Sequence, residues 1–282
     1  GRVFSAKVHS IPDASRQAKG MPIINLPGVQ VEAGEVPMAT ITLPTFAPGS
    51  YLVLATTNGK IKKTPLEQFE RVRSTGIRAI TLDDSDELAW VNVSSGQDDV
   101  IIATAQGMLA RFEENEVRAM GRDAAGVIGI RLLKKAGDRV VSMSVVQPGA
   151  DLLVLTETGY GKRVPLTEFR LKHRGGQGVR LIALEGRKTG VVAAVQQVTE
   201  LDEELVLISA HGQVVRTELG SINRYSSGAR GVIVMRLNEG DRVVGISAFR
   251  PGLAEGRDTG DNGDPEAGGA GDRGDSTPER GA

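Results

Sequence analysis

The sequence predicts an all-β protein: a propeller-like array of about five four-stranded blades over residues 1–250, followed by an acidic, disordered tail over residues 251–282. Three observations carry this. The apolar residues of the body fall in runs of four to seven, rich in Val, Ile and Leu, which suits strands better than helices. Gly contributes 36 of 282 residues against aromatics at 4%, nearly double the usual Gly share of about 7% and the mark of many turns. Two glycine landmarks also recur with one period. Gly59, Gly107, Gly159 and Gly212 are spaced by 48, 52 and 53 residues, and Gly76, Gly126, Gly178 and Gly231 by 50, 52 and 53. Independent landmarks sharing a period define a true internal repeat.

The clearest copy opens with Asp151-Leu152-Leu153-Val154-Leu155-Thr156, turns at Gly159, and continues as Tyr160-Gly161-Lys162-Arg163-Val164-Pro165. After a basic loop come Gly178-Val179-Arg180-Leu181-Ile182 and a last run, Val191 to Val195. Earlier copies run from Tyr51 and from Val100 to Val141, and a later one from Leu205 to Ile246. Gly1-Arg2-Val3-Phe4 and Lys19-Gly20 fit the same landmarks, so the first copy lacks its opening strand and the chain reads as a piece of a longer one. Each copy offers four short runs separated by a Gly hairpin, a long polar loop and a Gly-Asp turn, clearest at Gly137-Asp138 and Gly240-Asp241. Four strands repeated about an axis make a propeller-like blade. A β-solenoid would repeat at about 20–30 residues, as its shorter coils require. WD40 and kelch periods lie closer, but one Trp in five units argues against both.

Composition removes several chemistries. The chain has no Cys, so disulfides, thiolate metal sites and a cysteine nucleophile are excluded, and a reducing cytosolic setting is expected. No run approaches the roughly 18 apolar residues of a spanning helix, and no membrane partner is expected. The net charge of −1 hides two regions. Residues 251–282 hold eight acids and three bases among nine glycines, leaving 31 bases and 27 acids in residues 1–250. Such a tail cannot bury enough apolar surface to offset its ordering entropy. Its Gly269-Ala270-Gly271-Asp272-Arg273-Gly274 matches a dinucleotide fingerprint in letters only, with no strand before it and no helix after.

Catalytic constellations are lacking. His9, His173 and His211 occupy unrelated repeat positions, and no metal or cofactor is expected in this chain. Asp83-Asp84-Ser85-Asp86-Glu87 lacks the spacing of a calcium loop. What recurs is positive charge. The strand after the hairpin carries Lys60, Lys62 and Lys63, then Arg111, then Lys162 and Arg163, then Arg216. The following loop carries Arg71, Arg73 and Arg78; Arg118 and Arg122; Arg170, Lys172 and Arg174; and Arg224 and Arg230, with Arg16 and Lys19 in the first copy. In a radial array these positions form a band on the rim, with the strand lysines and arginines expected on outer surfaces. Such a belt would neutralise the phosphates of double-stranded DNA without reading bases. A propeller serving as a protein-interaction scaffold is the alternative.

Several ordered segments are similar to one family. They are Gly1 to Val8, Gly20-Met21-Pro22-Ile23-Ile24-Asn25-Leu26, Val117-Arg118-Ala119-Met120-Gly121, Gly126 to Leu132 and Thr158 to Arg163. With Phe112, they resemble the C-terminal domain of the DNA gyrase A subunit over essentially all of residues 1–250. The resemblance implies a β-pinwheel, a disc whose blades swap strands and whose basic rim bends DNA, with five of six blades present. It implies a role in ATP-dependent negative supercoiling, with ATP and Mg²⁺ bound in other domains. It further implies two partners in a heterotetramer, the gyrase B subunit as well as the rest of the gyrase A subunit. A bacterial cytoplasmic, nucleoid-associated location is implied with them. The family's Gln-Arg-Arg-Gly-Gly-Lys-Gly box is absent; His173-Arg174-Gly175-Gly176-Gln177-Gly178 is taken as the ordinary loop of its repeat. The C-terminal domain of topoisomerase IV therefore stays open as the second family reading.

Overall fold

The computed structural model describes residues 1–249 apart from 16, 33, 134–136 and 203. The expectations for the tail at 251–282 and for Arg16 lie outside the described residues.

The described chain is all-β, with short 3-10 turns between strands. In order, the strands are β1 (Arg2–Val3), β2 (Tyr51–Thr56), β3 (Lys60–Pro65), β4 (Ile77–Arg78), β5 (Leu88–Ser94), β6 (Asp99–Thr104), β7 (Met108–Glu113), β8 (Val127–Ile128) and β9 (Val140–Val145). They continue with β10 (Asp151–Thr156), β11 (Tyr160–Pro165), β12 (Val179–Arg180), β13 (Val192–Val198), β14 (Glu204–Ser209), β15 (Val214–Glu218), β16 (Val232–Ile233) and β17 (Val243–Phe249).

Each repeat builds one hairpin and one closing strand, β2-β3-β5 being the pattern. The hairpin is fixed by chemistry the sequence repeats. The hydroxyls of Thr56, Thr104, Thr156 and Ser209 accept from the backbone N–H four residues on, at 3.0–3.4 Å. The aspartate of the closing turn then ties that turn to the hairpin. Asp86 accepts from the Asn58 N–H at 2.9 Å, Asp138 from the Gln106 N–H at 2.9 Å and Asp241 from the His211 N–H at 3.0 Å. These contacts explain the recurrent Gly-Asp turn of the sequence.

The fourth strand is borrowed. The sheets run β5-β2-β3-β8, β9-β6-β7-β12 and β13-β10-β11-β16, so each outer strand belongs to a following repeat. Its pairing is antiparallel, with Val127 opposite Ile61 and Val179 opposite Leu109. Both glycine landmarks sit at this exchange. Gly126 has φ +84°, and a Cβ there would stand 2.6 Å from the Ile61 carbonyl oxygen; one on Gly59 would stand 2.6 Å from that of Ile130. Only glycine lets the borrowed strand approach so closely. The strand exchange therefore sets the period seen in the sequence.

Two sheets depart from four strands. The last, β17-β14-β15, has no borrowed strand among the described residues, and the first is the pair β1-β4. The described residues between β1 and β2 hold 3-10 turns at Val8–Ser10 and Ile23–Asn25 and no strand. In the later repeats the closing strand pairs with its own opening strand, as β5 does with β2.

Closing strands pack in succession, β5 on β9, β9 on β13 and β13 on β17. They therefore occupy one side of the array, and the borrowed strands the other. The core lies between blades: Val53, Ala55 and Ile61 of one repeat pack with Val100, Ile102, Phe112 and Met143 of the next. Both faces of the inner strands are covered, so Leu52 to Ala55 of β2 and Leu152 to Leu155 of β10 are apolar without alternation. Each fully buried Leu or Ile contributes on the order of 1.5–3 kcal/mol.

Candidate nucleic-acid interface

The basic loop of each repeat lies along the hairpin strand of the repeat before it, continuing the edge that the borrowed strand occupies. Ala119 bridges Lys63, and Arg224 bridges Arg163. The N–H groups of Met120, Lys172 and Tyr225 donate to the carbonyls of Lys63, Arg111 and Arg163 at 2.8, 2.9 and 2.8 Å. The loops are thus fixed on the side away from the closing strands.

The structure divides the predicted basic residues into three groups. Lys19, Arg71, Arg73, Arg78, Arg118, Arg170 and Lys172 include the exposed loop bases, and none forms an ion pair within the described residues. Arg122 is likewise unpaired there. A second group is held by acids. Lys60 lies 2.7 Å from Asp83, Arg224 2.6 Å from Asp151, and Arg230 2.7 Å from Glu185. Arg216 pairs with Glu204. Arg174 donates to the carbonyls of Glu116 and Ile128, both at 2.9 Å. Arg230 also covers the Tyr160 ring at 5.2 Å. The Arg230 hydrogen bond holds the Glu185 carboxyl below the usual range, and the Asp151 hydrogen bond raises the Arg224 guanidinium further.

The third group corrects the expectation of outward-facing strand residues. Lys62 and Lys162 are 0% exposed and Lys63 5%. Lys62 donates to the carbonyls of Ala79, at 2.6 Å, and of Arg122. Lys162 donates to those of Ser226 and Ser227 at 2.6 and 3.0 Å. Burial pushes both ammonium groups down to about 8, opposed by Asp123 near Lys62 and by Glu168 near Lys162. Lys63 pairs with buried Glu114 at 3.0 Å and faces the Tyr51 ring. Arg111 and Arg163, at the matching position of the next two repeats, act alike. Arg111 pairs with Asp99 at 2.7 Å and donates to Leu166 and Phe169 carbonyls; Arg163 lies 3.8 Å from Asp151 and donates to Ile222. The reason is topological. A hairpin strand covered on both faces and along its borrowed edge has little solvent-facing surface between its ends, so alternation does not turn Lys62, Lys63 or Lys162 outward.

Other unpaired bases escaped the sequence reading: Arg131, Arg180 and Arg236 are exposed. The repeat could have revealed them. Arg180 stands two residues past its landmark glycine, as Arg78 does, and Arg131 and Arg236 stand five past theirs. His173 is solvent-exposed beside Glu116. Among the described residues no group of three His, Asp or Glu could hold a metal ion, and no helix is long and apolar enough to cross a membrane.

Free cations spaced along the borrowed edge of a strand-swapped radial array suit an extended polyanion better than a small ligand. That geometry defines a repeat-built, charge-presenting β-propeller. The chain belongs to the family described as DNA gyrase C-terminal domain, beta-propeller, which it matches over residues 1–31, 50–95, 98–147, 150–199 and 203–250. These five stretches coincide with the five repeats. The DNA gyrase A subunit of Salmonella typhimurium is 41% identical over 246 residues, 87% of this chain and 27% of that protein. The chain therefore spans about a quarter of the curated relatives it matches, their C-terminal part. A solved DNA gyrase A C-terminal domain superposes with a TM-score of 0.65 at 29% identity, covering 73% of this chain and 67% of that one. The C-terminal domain of DNA topoisomerase IV gives a TM-score of 0.79 at 25% identity, covering 89% and 76%.

Proposed function

We propose that this domain binds duplex DNA along its basic loops and bends it, acting as the DNA-wrapping part of a gyrase A subunit. The observation that carries this reading is the set of unpaired bases Arg71, Arg73, Arg118, Arg170 and Lys172 at equivalent loops of successive repeats. Wrapping by this domain would present a crossing to the breakage and ATPase machinery of the whole enzyme, which supplies ATP and Mg²⁺ sites in other domains and negative supercoiling as the outcome. The rest of the gyrase A subunit, the gyrase B subunit in a heterotetramer, and a bacterial cytoplasmic, nucleoid-associated setting belong to the same reading. The catalytic tyrosine would lie in another part of that enzyme, and no residue here is assigned to strand cleavage.

The close superposition on the topoisomerase IV domain favours a second reading, a topoisomerase IV subunit, which shares the DNA-binding prediction. The 41% identity to a curated gyrase A subunit supports the first, and among the superposed structures the gyrase A domain is 29% identical against 25% for the topoisomerase IV domain. A protein-interaction scaffold would not need unpaired bases at successive loops.

Bending a 20–30 bp duplex by 40–90° costs on the order of 1–6 kcal/mol, so distributed contacts must offset it. The test replaces Arg71, Arg73, Arg118, Arg170 and Lys172 by Ala. Each lost phosphate contact should lower the log–log salt slope by about 0.9, so about 4–5 in all. Energy transfer between labelled duplex ends should report loss of bending, with circular dichroism confirming the fold. A folded variant that binds and bends DNA like its parent would overturn the reading.

A further inference from the structure

Lys62, Ala110 and Lys162 occupy one repeat position, three residues past the hairpin glycine. Where it is lysine, a buried ammonium joins backbone carbonyls. Lys62 ties Ala79, one residue after Arg78, to Arg122 of the next repeat. Lys162 ties down Ser226 and Ser227 of the loop that carries Arg224 and Arg230. Where it is Ala110, no long side chain fills that space. A cleft of about 210 Å³ opens there, lined by Ala110, Phe169, Lys172, Gly176 and Gly178 among others. The loop with Arg170 and Lys172 thus has a gap beneath it and is held from its sides, by Arg111 on the Phe169 carbonyl and by Arg174 on those of Glu116 and Ile128, while its neighbours have a lysine anchor from below.

A charged group inside a fold is costly unless its donors are matched, and an apolar side chain would fill the same volume. What the ammonium adds is position: two donors converging on backbone carbonyls that it could not otherwise reach. We propose that Lys62 and Lys162 are positioning residues for duplex bending, holding the basic loops at fixed height on the borrowed edge, and that the repeat with Ala110 lacks this anchor. This rests on the DNA-wrapping reading. It removes both lysines from direct phosphate contact and gives them a role exerted through Arg78, Arg118 and Arg122 and through the 223–230 loop.

The experiment uses the full chain, with Lys62→Met and Lys162→Met as separate variants and Ala110→Lys as the converse. Each Met variant should retain its circular dichroism spectrum, speed amide exchange in the loop above it by about tenfold, and lower the bent fraction of an end-labelled duplex by a similar factor. Ala110→Lys should slow exchange across residues 170–178 and raise the bent fraction. A direct-contact role is separated by an amine-acylating reagent, and a merely structural one by the gain of bending in folded Ala110→Lys. Lys62 and Lys162 should stay unmodified with and without DNA, while Lys172 becomes protected when DNA binds. Folded Met variants that bend DNA like the parent would overturn the proposal, as would Lys62 modified in the free chain and protected by DNA. Should the Met variants fail to fold, Ala110→Lys decides: unchanged loop exchange and unchanged bending refute it. A parent that does not bend DNA at all refutes the functional reading instead.

Discussion

Replacing Gly126 by Ala tests the strand exchange most directly, because a matched control exists in the same chain. Gly126 and Gly240 share the left-handed backbone, with φ of +84° and +77°. An alanine in that conformation costs roughly 1–2 kcal/mol at either site. Their surroundings differ. A Cβ on Gly240 would meet nothing within 4 Å, whereas one on Gly126 would lie 2.6 Å from the Ile61 oxygen and 3.2 Å from the Lys62 Cβ. Backbone oxygen cannot swing aside as a side chain does, so the borrowed strand must lift. Lifting it strains the Gly129 and Ile130 N–H bonds to the Gly59 carbonyl, at 2.8 and 3.2 Å, each worth about 0.5–1.5 kcal/mol net. It also uncovers Ile61 and Ile130, 0% and 1% exposed. Gly240→Ala should therefore lose about 1–2 kcal/mol and Gly126→Ala about 3–5 kcal/mol. Urea unfolding gives the totals, and amide exchange at Gly129 and Ile130 locates the damage. Equal losses at the two glycines, or exchange at those amides no faster than in the parent, would refute the strand-exchange argument.

Two further outcomes follow from charge. Lys62 and Lys162 ionise near 8 in the fold against about 10.4 in an unfolded chain. Between those values the unfolded chain binds more protons, so each lysine makes stability rise with pH by up to about 1.4 kcal/mol per unit. Thermal melts of the parent and the Lys62→Met, Lys162→Met double variant from pH 7.5 to 10.5 should diverge accordingly, and parallel profiles would refute the buried placement. Deleting residues 251–282 removes eight acids and three bases, and duplex affinity should increase, most at low salt, where a tethered polyanion competes best. Unchanged or weaker binding would exclude that competition.

The repeat, the strand class and the number of blades were legible because glycine at an exchange point and Asp at a closing turn are demanded by backbone geometry. Gly126 and Asp138 could not be much else. The placement of charge was legible only in part. Arg71, Arg118 and Arg170 lie in loops, where polarity and exposure coincide, and they are exposed as expected. Lys62 and Lys162 lie in strands whose coverage depends on a segment more than sixty residues downstream, Val127 for the first and Val232 for the second. No local pattern reports a cover that arrives from so far away. Three Lys in six residues of β3 look like a solvated face, and the Lys62 ammonium is instead satisfied by carbonyls that only the folded neighbourhood supplies.

The same borrowing has a temporal side during synthesis. Strand β3 ends at Pro65, but the strand that closes its edge begins at Val127. At about 5–20 residues per second a nascent chain leaves that edge open for roughly 3–12 s. An open edge is a template for pairing with another chain, and lysine or arginine on it blunts that hazard. Lys60, Lys62 and Lys63, then Arg111, then Lys162 and Arg163, stand on just the strands that must wait. By that argument, these charges should disfavour edge pairing of an unfinished blade until the following repeat covers it.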